Sequence, residues 1–238
     1  MKPRISVLFL PLAAAALVLP AVPASATDPA PAVTLTANKS VYLAGQSAQL
    51  TSKITAHNLD WIVDFQYPGS TEWHGLCASL GVNDSVRNCT LGVNYNVKVR
   101  AVLIDDKGTQ DTSDDTLEAM ATRNLAVKAT VATSPLNYNL KSGNYVVYPK
   151  TYKPTFRSTT YPAFPGGRCL RHQLQRHKAS GWKTIVTTKC TLENSKGRVD
   201  WKWTGKHASG VKYRVRAVFA GDAANKANSA AFVYFRFR

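Results

Sequence analysis

Acidic side chains all but disappear from the second half of this chain. Residues 129–238 hold only Glu193, Asp200 and Asp222 against 20 Lys and Arg, a net charge of +17. Residues 27–128 hold 8 Lys and Arg against 11 Asp and Glu, a net of −3. A uniform basic balance would speak only to solubility. A difference of this size between halves points to an anionic partner for the second half. It also leaves a paired-carboxylate glycosidase site there with almost nothing to be built from. Other enzyme signatures are missing too: there is no G-x-S-x-G, no H-E-x-x-H and no phosphate-binding glycine loop. Past the first 20 residues no apolar run is long enough to span a bilayer, and the chain has only four cysteines.

The one long apolar run opens the chain, in "MKPRISVLFLPLAAAALVLPAVPASATDPAPA". Lys2 and Arg4 precede Ile5 to Leu19, and Ala24-Ser25-Ala26 supplies small residues for cleavage. The pattern predicts a signal peptide over residues 1–26 and an exported chain, extracellular or wall-associated, with no transmembrane span. In that compartment four cysteines predict two disulfides. Of three possible pairings, spacing prefers Cys77–Cys89 and Cys169–Cys190, each closing a short loop and stabilising by roughly 3 kcal/mol. Cys and His are nowhere clustered at zinc-ligand spacing.

Alternating apolar and polar residues dominate the remainder of the chain. "VTLTANKSVYLAGQSAQLTSKITA", "YNVKVRAVLI", "KYRVRAVFA" and "AAFVYFRFR" all read as strands, separated by Gly, Pro, Asn and Ser turns. This predicts an all-β sandwich architecture. The halves also repeat. Phe65-Gln66 then Trp73 matches Leu174-Gln175 then Trp182, and "GVNYNV" (Gly92 to Val97) matches "GVKYRV" (Gly210 to Val215). "VRAV" occurs at 99–102 and again at 215–218. Three ordered matches favour duplication over chance. The G-x-x-Y-x-V pattern predicts a tyrosine corner, with the Tyr95 and Tyr213 hydroxyls bonding back into a loop.

The run "HQLQRHKASGWKTIVTT…GRV…YRVRAVFAGDAAN" resembles the immunoglobulin-like repeats of exported proteins from high-GC Gram-positive bacteria. The likeness covers most of residues 169–225 and, more loosely, 33–104. It implies two tandem immunoglobulin-like β-sandwich domains, residues 28–128 and 129–238, joined near "KATVATSP". It implies little about activity, since such repeats serve as spacers, adhesins and binding modules. His172 departs from the aliphatic residue usual at its position, and each half adds a disulfide.

Within "CLRHQLQRHKASGWKTIVTTKC" (residues 169–190) the turn "HKASG" lies midway. A hairpin there sets Leu174 opposite Ile185 and the cysteines opposite each other, so that the disulfide clamps its base. The same device is expected around "GVND", between Cys77 and Cys89. Parity then assigns faces. Trp61, Val63 and Phe65 turn inward, as do Leu170, His172 and Leu174; so do Tyr213, Val215, Ala217 and Phe219, and Val233, Phe235 and Phe237. In an immunoglobulin-like sandwich strands C, F and G share a sheet. Its outward face then carries Arg171, Arg214, Arg216, Arg236 and Arg238, with Phe232 and Tyr234 among them. Guanidinium forks suit phosphate, sulfate or carboxylate, and aromatic rings can stack on sugars, bases or the Arg planes. Lys202 and Lys206 are assigned to the opposite sheet.

"LIDDKGTQDTSDDTLEA" gathers Asp105, Asp106, Asp111, Asp114, Asp115 and Glu118 in one loop, a weak calcium candidate whose spacing fits no standard calcium loop; a solvated acidic hairpin is the simpler reading. A zinc site would need His172, His177 and His207 to converge with a fourth ligand, and His172 reads instead as core, as do Trp201 and Trp203. No cofactor is called for. The sequence thus predicts a secreted, non-enzymatic protein whose basic second half engages an anionic polymer: a wall polymer or other cell-envelope component, an acidic polysaccharide or, less favoured, nucleic acid. The competing readings are a structural or adhesive spacer without a specific ligand and, third, an enzyme or enzyme inhibitor.

Overall fold

The computed structural model describes residues 29–108, 112–164 and 167–238. The predicted leader, residues 1–26, and Asp111 of the acidic loop lie outside the described residues. The described chain is all-β. Its first half contains β1 (Ala32–Ala37), β2 (Val41–Leu43), β3 (Gln46–Thr55), β4 (Leu59–Gln66), β5 (His74–Val82), β6 (Ser85–Val93), β7 (Val97–Asp105) and β8 (Thr116–Lys128). The second contains β9 (Thr130–Leu136), β10 (Leu140–Ser142), β11 (Tyr145–Tyr148), β12 (Thr155–Tyr161), β13 (Cys169–Lys178) and β14 (Gly181–Thr187). It ends with β15 (Thr191–Leu192), β16 (Arg198–Lys202), β17 (Lys212–Gly221), β18 (Lys226–Ser229) and β19 (Val233–Phe237).

Strand order repeats between the halves. In the first, β1-β3-β6 form one sheet and β5-β4-β7-β8 the other, with β2 added in parallel beside β8. In the second, β9-β12-β16 form one sheet and β14-β13-β17-β19 the other, with β11 added in parallel beside β19. Alternation drives the packing, because every second residue of a strand faces the same side. Leu35, Leu50 and Leu91 from one sheet meet Trp61, Val63, Val99 and Leu103 from the other in a single buried cluster. The inward parity holds: Leu170, His172, Leu174, Tyr213, Val215, Ala217, Phe219, Phe235 and Phe237 are all buried.

The second half has a divided core. Leu174, Val215, Phe156, Phe235 and Phe237 belong to one apolar cluster, and Leu170, Ala217, Phe219 and Val131 to another. His172 falls between Leu170 and Leu174 on β13, fully buried. Its Nε2 bonds Ser158 Oγ at 2.9 Å, Ser158 in turn meets Thr133 Oγ1 at 3.1 Å, and the ring stacks on Trp201 at 5.2 Å. Burial pushes the His172 pKa down to about 4. Its counterpart in the first half is Val63, since Val63 pairs with Ala101 and His172 with Ala217 within the shared "VRAV".

The passage from one half to the other is a single buried residue, Ala129, between β8 and β9. The loop from Gly221 to Asn225 locks it. Asn225 is fully buried and donates from Nδ2 to Asn94 O at 2.9 Å and Val127 O at 3.3 Å. Its Oδ1 accepts from the buried Arg168 guanidinium, which also bonds Pro162 O at 2.8 Å and Asp222 Oδ2 at 3.2 Å. Asn96 reaches back to Ala223 and Ala224 from the first half.

Several expectations need correction. Leu174 pairs with Val186 rather than Ile185, because a β-bulge between Leu174 and Gln175 leaves Ile185 as the extra residue. Cys169–Cys190 forms and holds the base of that hairpin, although Cys169 itself pairs with Leu192. Cys77–Cys89 also forms, but it does not clamp a hairpin: β5 pairs β4 and β6 pairs β3, so the bond ties one sheet to the other. The tyrosine corners are not found. Strand register sets Val99 opposite Phe65 and Val215 opposite Leu174, which aligns Tyr213 with Val97 and not with Tyr95. Neither hydroxyl makes a hydrogen bond among the described residues. Instead Tyr42 on β2 and Tyr148 on β11, both buried, bond back to Asn38 Oδ1 (2.7 Å) and Leu136 O (3.2 Å).

Candidate anion-binding face

Pairing places the predicted arginines on one face. Across β13 and β17, Gln173 lies opposite Arg216 and Gln175 opposite Arg214; across β17 and β19, Arg214 lies opposite Tyr234 and Lys212 opposite Arg236. Tyr145 on β11 lies beside Tyr234. Arg171 sits one row beyond Arg216, and Arg238 one row beyond Arg236. The cations Arg171, Arg216, Arg214, Lys212 with Arg236, and Arg238 therefore occupy five successive rows. At roughly 3.4 Å per residue the stripe is about 27 Å long.

Each cation on the stripe's middle rows is held by neighbours. Arg214 donates from Nε to Gln175 Oε1 at 2.7 Å, and Arg216 from Nε to Gln173 Oε1 at 2.9 Å. Both glutamine amides donate on to Thr184 Oγ1, at 3.1 Å from Gln175 and 3.4 Å from Gln173, so their oxygens stay turned to the arginines. The Arg214 guanidinium lies 4.6 Å from the Trp182 ring and 4.0 Å from Phe232, and that of Arg216 lies 4.5 Å from Phe232. Lys212 Nζ stands 5.7 Å from the Tyr145 ring, and Arg236 donates to Ser142 Oγ at 2.9 Å. Tyr234 packs edge-on between Trp182 and Tyr145.

Among the described residues no carboxylate of the second half neutralises this face. Glu193 is buried and takes a hydrogen bond from Thr160. Asp200 pairs with Arg157 on the opposite sheet at 2.7 Å, which holds its carboxyl below the usual range, and Asp222 pairs with Arg168. Those three acids are all that the second half contains.

The first half carries the matching arrangement with one difference. Lys98 and Arg100 stand where Arg214 and Arg216 do, and Trp73 covers them at 5.7 and 4.3 Å as Trp182 covers Arg214. There Asp64, opposite Arg100, accepts a hydrogen bond from its Nε at 2.9 Å and forms an ion pair with its Nη2 at 2.9 Å. Gln173 occupies the position of Asp64. The same lattice is thus closed by a carboxylate in one half and left positive in the other.

Trp182, Lys212, Tyr145, His177 and Thr184 belong to the face although sequence reasoning does not assign them to it. Lys212 shares the parity of Arg214 and is reached by extending the strand one step. Trp182 stands out in the sequence only as a repeat marker. Tyr145 arrives through the parallel pairing of β11 with β19, which leaves no local signal. Lys202 lies on the opposite sheet, on β16, as expected, whereas Lys206 sits in the loop after it.

Around the acidic loop Asp105 and Asp106 serve a turn. Asp105 accepts from the backbone N–H and the ammonium of Lys107, which lowers its pKa, and Asp106 accepts from Gly108 N at 2.9 Å. No group of three or more His, Cys, Asp or Glu converges among the described residues.

No family model matches the chain, and no curated protein does. Among solved structures it is similar to a DUF4785 family protein from Legionella pneumophila, at 12% identity and a TM-score of 0.38 over 82% of this chain and 53% of that one. It is similar to the human OSCAR ligand-binding domain at 11% identity and a TM-score of 0.32, over 85% and 97%. Red sea bream transglutaminase gives 9% identity and a TM-score of 0.34, over 87% and 31%. The chain spans about half the length of the Legionella protein and a third of the transglutaminase. At these scores the likeness carries no functional argument, and the reading of the site rests on this chain's own geometry.

Proposed function

We propose that this is an exported, non-enzymatic binding protein made of two tandem immunoglobulin-like sandwiches, residues 28–128 and 129–238, behind a cleaved leader. Its second sandwich holds an anionic polymer of the cell envelope or its surroundings along the stripe from Arg171 to Arg238. One observation supports the exported setting: all four cysteines are in disulfides, which persist in oxidising compartments.

The observation that carries the binding reading is the contrast between the halves. A lattice kept only for strand packing would tolerate the Asp64 solution in both copies. The second copy replaces that carboxylate by Gln173, adds the Phe232 and Tyr234 rings, and extends the row with Lys212, Arg236 and Arg238. Its guanidinium groups keep N–H donors free to face outward. The spacer reading is favoured by one feature, the first half itself, where the same cation–ring packing exists with Arg100 neutralised.

A salt titration separates the two. With six cations engaged, the logarithm of affinity for a polyanion should fall against the logarithm of salt with a slope of about −4. Changing Arg214, Arg216 and Arg236 together to Gln should bring the slope to about −2 and weaken binding at every salt concentration. Retention that is unaffected by the triple change would favour the spacer.

A further inference from the structure

The rings on the face are already occupied. Phe232 has two guanidinium groups against it, Trp182 has one and Tyr145 has the Lys212 ammonium. Tyr234 has a ring on either side, at 5.6 and 5.8 Å. His177 packs edge-on against Trp182 at 5.0 Å, inclined at 74°. A nucleobase that is to stack on one of these rings competes for it with a cation or another ring. The Thr184–glutamine–arginine chain meanwhile fixes where the guanidinium groups stand, two residues apart along β17.

From this we infer that the stripe recognises a linear polyanion without aromatic bases, such as a phosphate or sulfate polymer, through its charged groups alone. The inference rests on the polyanion reading above and narrows it. The rings act as spacers that hold the positive groups in file along successive rows. Ligand discrimination then comes from the spacing of anionic groups. Binding gains nothing from the π-faces that make single-strand nucleic-acid sites tolerant of sequence but dependent on bases. A polymer of phosphates or sulfates meets the outward N–H donors of Arg214, Arg216 and Arg236 directly.

The test compares polymers matched in length and charge against the intact protein: inorganic polyphosphate, heparin, oligo(dT) and oligo(dA), each titrated over a range of salt. The expected result is that polyphosphate or heparin binds at least as tightly as either oligonucleotide and that oligo(dT) and oligo(dA) do not differ. Trp182→Ala, with folding checked by its melting temperature, should weaken polyphosphate and oligo(dA) by the same factor, because Arg214 loses its support in both cases. If the oligonucleotides bind tenfold or more tighter than polyphosphate and heparin, or Trp182→Ala selectively weakens oligo(dA) by tenfold or more, the rings are stacking platforms; the inference then fails while polyanion binding stands. Failure of all four polymers to bind at low salt would overturn both.

Discussion

At the scale of single residues, His172 shows how matching positions of the two halves can differ in character. Val63 needs nothing from its neighbours, whereas His172 requires Ser158 and, through it, Thr133, and it divides the apolar core between Leu170 and Leu174. Because its folded pKa of about 4 lies below the ordinary value of 6.5, the unfolded chain takes up the proton first as the pH falls. Stability from this group is therefore complete above pH 6.5 and is lost on acidification toward pH 4, by about 3 kcal/mol in all. The Asp200–Arg157 pair fails only at lower pH, since its carboxyl sits below the usual range. Urea unfolding at pH 7, 5.5 and 4 should show the loss, and His172→Val should flatten it over that window. An unchanged slope in the variant would place the titrating group elsewhere.

At the scale of strands, facing is the most legible property and register the least. Parity places Arg171, Arg214, Arg216, Tyr234, Arg236 and Arg238 on one surface, because a side chain's side of a strand depends only on counting by twos. The bulge at Ile185 escapes such counting, since its extra residue turns Val186 inward against Leu174 where parity with the outward Thr184 would turn it outward. The "GVNYNV"/"GVKYRV" match has an offset of 118 residues and the "VRAV" match one of 116, which preserve facing equally, so sequence cannot choose between them. Pairing with β4 and β13 selects "VRAV" and removes the tyrosine corner. Likewise Cys77 and Cys89 are close in sequence, yet they lie on strands of different sheets, a fact of topology and not of spacing. In the sequence the glutamines opposite the arginines are simply outward polar residues; their part in orienting the guanidinium groups depends on Thr184, which only the hairpin brings alongside.

At the scale of the whole molecule, the halves join at the buried Ala129, through β18, which pairs both β17 and β8, and through a polar junction. Asn225 satisfies Asn94 and Val127 of the first half and the buried Arg168 of the second, so it belongs to both. Asn225→Ala strands a buried guanidinium donor and two carbonyls, at a cost of about 3 kcal/mol. The wild-type chain should unfold in one calorimetric transition, and the variant in two as the halves lose their common lock. A single transition of unchanged midpoint would show that the junction does not couple them.

The halves also serve as each other's control for the binding claim, because Asp64 and Gln173 stand at one position of a shared lattice. Installing the carboxylate in the second half, Gln173→Asp, should neutralise Arg216 as Asp64 neutralises Arg100, without removing any arginine. The most direct measurement is the affinity of this variant for polyphosphate at low salt beside that of the wild type. A roughly tenfold loss with an undiminished melting temperature is predicted. Equal affinity in the two proteins would contradict an anion site on this face.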